Sequence, residues 1–111
     1  MHIELFLSVL FGLIFWHVLA DYPLQGDFLS KAKGRAYEPD VPWWQAMAAH
    51  CIIHAGGVLM ITQRADLALY EFIAHFLIDK AKVAGKINFN QDQLMHVACK
   101  VLYALIVVGN S

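Results

Sequence analysis

Apolar residues run from Ile3 to Ala20, interrupted only by Glu4, Ser8 and His17, and Asp21 with Pro23 ends the run. A second run, Trp43 to Thr62, contains no charged residue and opens on Pro42-Trp43-Trp44. Two further segments, Asp66 to Val83 and Asp92 to Val108, keep an apolar face but carry Glu71, His75, Asp79 and Lys100 among their apolar positions. The pattern predicts helices over about 3–21, 43–63, 66–83 and 92–108. At 1.5 Å per residue each is about the length that crosses roughly 30 Å of hydrocarbon. The expected fold is therefore all-α: an integral membrane four-helix bundle, with 1–111 a single transmembrane domain.

Connections set the order of packing. Gln63 to Ala65 is a tight turn and Ala84 to Gln91 a short loop, so the helices they join are expected to be antiparallel neighbours. The link from Tyr22 to Val41 is longer. Its Leu24, Phe28 and Leu29, followed by Lys31, Lys33 and Arg35, fit either a short helix lying in the interface or a plain polar loop.

Composition agrees with burial in lipid. Of 111 residues 59% are hydrophobic and 15% charged, too apolar for the surface of a small water-soluble domain. The net charge of −1 gives no sign of a nucleic-acid partner, and none is expected. Cys51 and Cys99 both lie in apolar segments and read as reduced, packed thiols. No Lys or Arg precedes the first run, which reads as a retained span and not a cleaved signal. Lys31, Lys33, Arg35, Lys80, Lys82 and Lys86 belong to one side and only Arg64 to the other. The positive-inside rule then puts the first and third connections in the cytoplasm and both termini on the outer side.

Against this apolar background one spacing repeats. The four segments carry His17/Asp21, His50/His54, His75/Asp79 and Asp92/His96, each pair at i, i+4 and so on one helix face. Chain direction alternates, so all four pairs also fall at the same level, toward the cytoplasmic side. A single buried His, or one such pair, is ordinarily a hydrogen-bonded structural group. Four pairs matched in face and level point to metal ligation. The metal ligands expected are His17, Asp21, His50, His54, His75, Asp79 and His96. This nitrogen and oxygen set suits one or two divalent transition ions, zinc first, then Mn, Fe or Ni, ahead of Mg or Ca. Asp92 and Asp21 are the candidate catalytic carboxylates, although either can instead be a helix-end residue, Asp92 as an N-cap. Glu71 and Lys100 extend the cluster one turn away from the cytoplasm and read first as an ion pair. Gln25, Lys80, Lys82 and Gln93 surround the mouth as possible substrate contacts, and Lys100 is the alternative anion binder. Gly56 and Gly57 are expected to permit close helix packing.

The ordered motifs His17-x-x-x-Asp21-Tyr22-Pro23-Leu24-Gln25, His50-x-x-x-His54, His75-Phe76-Leu77-Ile78-Asp79-x-x-Lys82 and Asp92-Gln93-x-x-His96 resemble a family of small bacterial and phage inner-membrane proteins catalogued as a domain of unknown function. The resemblance covers nearly the whole chain. It implies a multi-pass protein of the bacterial inner (cytoplasmic) membrane and one shared polar site, and carries no activity. A looser similarity is to inner-membrane metal-dependent hydrolases. Three functions are compatible with the cluster. The first is an intramembrane hydrolase of a lipid-linked or amphiphilic ester or phosphoester, reached from the cytoplasmic side. Next come a regulatory or partner-binding membrane protein with a structural metal, and a divalent-cation or proton transporter. The lipid bilayer is the one partner expected in all three, with room for a homo-oligomer.

Overall fold

The computed structural model describes residues 2–22, 33 and 42–110. Among them are four α-helices: α1 (Ile3–Asp21), α2 (Trp43–Thr62), α3 (Ala65–Val83) and α4 (Phe89–Gly109). Each packs on its neighbour in sequence, and α4 closes the ring against α1. The link from Tyr22 to Val41, with its two possible forms, lies outside the described residues apart from Tyr22 and Lys33.

Local chemistry explains the helix ends. α2 stops at Thr62 because Gln63 turns left-handed at φ 58°, while its amide N–H stays bonded to the Leu59 carbonyl at 2.8 Å. Thr62 Oγ1 accepts from the Arg64 amide at 3.2 Å, which turns the chain straight into α3. Gly85 ends α3 at φ 79°, where a Cβ is strained, and the Lys86 amide reaches back to the Ala81 carbonyl at 2.9 Å. α4 begins three residues earlier than its apolar pattern suggests. Asn88 accepts from the Gln91 amide at 2.8 Å and the Gln91 side chain accepts from the Asn88 amide at 2.9 Å, a reciprocal capping box. Asp92 is therefore not the N-cap. It sits a turn inside the helix and is buried.

Large apolar side chains cover the outside of the bundle, and an unusual number of polar ones lie inside. Leu7, Phe11 and Phe15 of α1, Ile52 and Met60 of α2, Leu69 and Leu77 of α3, and Leu94 and Leu102 of α4 all face outward. The interior holds His17, His50, His54, Glu71, His75, Asp79, Asp92, His96 and Lys100. An apolar belt of this extent calls for a nonaqueous cover. α1, α2 and α4 are long and apolar enough to cross a membrane. α3 is more charged, but its Glu71 and Asp79 turn to the bundle axis.

One end of the bundle is closed by an apolar plug of Val9, Leu13, Val58, Leu67, Tyr103 and Ala104. α1 crosses α2 where Trp16 donates its indole N–H to the Ile53 carbonyl at 2.9 Å, with the ring laid on Gly57. A Cβ at Gly57 would overlap that ring, whereas one at Gly56 meets nothing within 4 Å. Of the two glycines only Gly57 serves the packing. Gly57→Ala is expected to lower stability by about 1–3 kcal/mol through overpacking. Denaturation in mixed micelles checks this, and pairing the change with Trp16→Ala should return part of the loss.

Candidate metal centre

The four i, i+4 pairs meet at one level, at the end where α1 and α3 finish and α2 and α4 begin. Three layers follow the helix turns. Asp21, Asp79, Asp92 and His50 form the layer nearest the end. His17, His54, His75 and His96 lie beneath, with His54 stacked on His75 at 3.7 Å between ring centroids and His75 on His96 at 4.1 Å. Glu71, Lys100 and Tyr103 make the floor, and the apolar plug lies beyond.

The floor orients one imidazole. Glu71 accepts from Lys100 Nζ on both oxygens, at 2.9 and 2.8 Å, and from the Tyr103 hydroxyl at 3.1 Å. Its Oε2 is also 3.0 Å from His75 Nδ1. A carboxylate held this way only accepts, so Nδ1 of His75 carries the proton and Nε2 presents its lone pair to the cluster. Carboxylate–histidine pairs of this kind orient imidazoles for metal ligation.

Three further donor atoms gather with that lone pair, all four within 4.8 Å of one another. His75 Nε2 is 3.1 Å from His50 Nε2 and 3.9 Å from Asp21 Oδ1. Asp21 Oδ1 is in turn 3.2 Å from His50 Nε2 and 2.8 Å from His54 Nε2. Ligands about 2.1 Å from a tetrahedral ion are about 3.4 Å from one another, so these separations bracket the spacing one ion needs. Asp21, His50, His54 and His75 thus form one possible ligand group, and His75, Asp79 and His96 a second. His75 has one free nitrogen and can serve only one ion at a time.

His17 stands beside the first group. Its Nε2 lies 3.1 Å from Gln93 Oε1 and 3.3 Å from Asp21 Oδ2, and Gln93 donates to Asp21 at 3.3 Å and to Asp92 at 3.1 Å. Gln93 belongs to this network more than to the rim. Asp79 Oδ1 meets His96 Nε2 at 3.1 Å, and Asp79 Oδ2 accepts from Lys33 at 2.6 Å. Asp21 is the last residue of α1 and turns inward onto the imidazoles.

A polar cleft of about 260 Å³ opens the cluster at this end, between Asp21, Asp79, Asp92, Gln93, Lys33 and Lys82. Lys82 is exposed at the rim, 5.1 Å over the Phe89 ring, and Lys80 covers Trp43 at 4.1 Å. Gln25 lies outside the described residues. Lys100 is committed to Glu71 and does not face the cleft. Cys51 and Cys99 are free thiols, Cys51 fully buried. His2 is exposed, at the N-cap of α1.

The arrangement is expensive. His17, His50 and His54 each bury an Nδ1 with no hydrogen-bond partner among the described residues, and Asp92 buries Oδ1 likewise. Each such atom costs about 1–3 kcal/mol.

Residues 9–111 match the family model described as a protein of unknown function, DUF3307. The chain belongs to the DUF3307 family. No curated protein and no solved structure matches it, and none of these comparisons shows similarity to a hydrolase. For this DUF3307 member the buried His and Asp groups can hold a metal ion.

Two residues of this network are not among the site residues expected from the sequence. Tyr103 continues the Asp92/His96/Lys100 face at i+3, a signal the sequence does carry. Lys33 stands out in the sequence only as a loop cation.

Proposed function

We propose that this protein is a multi-pass bacterial inner-membrane protein that binds a divalent transition ion, zinc foremost, on Asp21, His50, His54 and His75. The ion would serve hydrolysis of a lipid-linked or amphiphilic ester or phosphoester. The observation that carries the metal is the grouping of four donor atoms, the His75 lone pair with those of His50, His54 and Asp21, at separations suited to one ion. The apolar belt supports insertion, with residues 1–111 as one transmembrane domain. The lysines at the cleft end support a cytoplasmic mouth and outer termini.

An ion bound there supplies Lewis acidity beside the cleft, the chemistry that makes water a nucleophile near neutral pH. The chain does the rest. Glu71 and the floor orient His75, His17 and Gln93 hold Asp21 in place, and the stacked imidazoles fix one another's planes. Asp92 lines the cleft with a buried Oδ1 that has no hydrogen-bond partner among the described residues, positioned to take a proton from water. Lys82 at the rim suits an anionic headgroup. The lipid-facing belt suits an amphiphilic substrate, and the apolar plug favours this reading over transport because it interrupts any polar path along the axis.

The test is elemental analysis of the protein purified in mild detergent, then assay of the loaded protein on lipid phosphoesters and esters. About one transition ion per chain is expected, with hydrolysis dependent on it. Loading should fall as pH is lowered, because protons compete for the imidazole nitrogens. A chain that takes up no ion after supplementation would sink this reading.

A further inference from the structure

We propose that the cluster has a second cation position at its mouth, on Asp79, Asp92 and His96, and that the Lys33 ammonium stands in for that cation in the metal-free protein. This rests on the inner ion proposed above, which commits His75, and it moves Asp92 from base to ligand.

Three observations meet here. His96 Nε2 lies 3.1 Å from Asp79 Oδ1 and 3.4 Å from Asp92 Oδ1, again the edge of a metal's coordination polyhedron. Asp92 is 2% exposed, yet beyond the 3.4 Å approach of His96 its Oδ1 has no hydrogen-bond partner among the described residues, while Oδ2 accepts from Gln93 at 3.1 Å. A cation already answers this group, since Lys33 Nζ sits 2.6 Å from Asp79 Oδ2 with its side chain only 12% exposed.

The ammonium is an incomplete occupant. It satisfies one oxygen of Asp79 and leaves Asp92 Oδ1, among the described residues, with only the 3.4 Å approach of His96. A divalent ion between two carboxylates and one imidazole would satisfy all three groups. Two oxygens and one nitrogen make this position harder than the inner one, which has three nitrogens and one oxygen. It therefore suits Mn²⁺ or Mg²⁺ where the inner group suits Zn²⁺. The positions adjoin, because His50 Nε2 lies 3.2 Å from Asp21 Oδ1 and 3.3 Å from Asp79 Oδ2. Adjacent ions of this kind clamp phosphoryl and acyl oxygens in two-metal hydrolases. The open side of the outer position faces the cleft, and Lys33, once displaced, remains there as a cation for an anionic substrate oxygen.

The experiment uses the full chain in detergent, stripped with chelator, loaded with zinc and titrated with Mn²⁺, free Mn²⁺ being followed by electron paramagnetic resonance. One further Mn²⁺ per chain is expected. Asp92→Asn, nearly isosteric, should weaken it by about tenfold or more while the zinc content stays at the parental level. Lys33→Met should strengthen it several-fold, since the competing cation is gone. The opposite signs separate site chemistry from misfolding. A protein that holds one zinc and no manganese overturns this proposal alone. So does an Asp92→Asn variant that titrates like the parent, and an unchanged Lys33→Met overturns the stand-in. A protein that holds no zinc overturns the inner ion and this proposal with it.

Discussion

His54→Ala is expected to weaken binding of the inner ion by about 10²–10³-fold, as loss of one ligand in four should when the whole set supplies roughly 10–16 kcal/mol. His54 Nε2 makes the shortest contact in the group, 2.8 Å to Asp21 Oδ1, and its ring stacks on His75. Removing it takes away a donor and also the plane against which the His75 lone pair is set. Metal content after dialysis against a weak chelator reads the effect, and any hydrolysis should fall in parallel. His2→Ala should leave loading unchanged, because His2 is exposed at the far end of α1. His17→Ala should fall between, since His17 holds Asp21 and Gln93 and lies outside the inner group. Parental affinity in the His54→Ala protein would mean that the ion, if any, binds elsewhere.

Lys100→Met is expected to cost about 3–5 kcal/mol, because it leaves the Glu71 carboxylate buried without its counter-ion. Both residues are 1% exposed, and Lys100 bonds both carboxylate oxygens. The Tyr103 hydroxyl and His75 Nδ1 remain to Glu71, but neither brings a fixed positive charge. Combining the change with Glu71→Gln should recover most of the stability, since the pair is then neutral on both sides. Metal affinity should stay about 10–100-fold below the parent, because an amide is a weaker acceptor for the His75 N–H than a carboxylate. Equilibrium unfolding in mixed micelles, read beside metal titration, separates the two effects. A double variant as unstable as the sum of the singles would remove the ion-pair explanation.

Helix periodicity makes much of this site legible in the sequence. The i, i+4 spacing of His17/Asp21, His50/His54, His75/Asp79 and Asp92/His96 is a local property of a helix, and alternating chain direction puts the pairs level. The Glu71–Lys100 contact follows from the same arithmetic carried one turn farther. Helix ends are less accessible. Spacing alone allows Asp92 to be a cap, but the Asn88–Gln91 box starts α4 earlier and turns Asp92 inward. Gly56 and Gly57 are neighbours of one type, and only the rotation of α2 against Trp16 gives one of them a packing role.

By itself the sequence determined the helices, their apolar exteriors and the set of polar residues sharing a face, because each depends on the spacing of residues within a few turns. The tertiary structure alone decided that the His75 lone pair faces His50 and Asp21, that Lys33 lies on Asp79, and that Asp92 Oδ1 is buried with no hydrogen-bond partner among the described residues. Those outcomes depend on how four helices rotate and approach, and each is a contact between residues far apart in the chain.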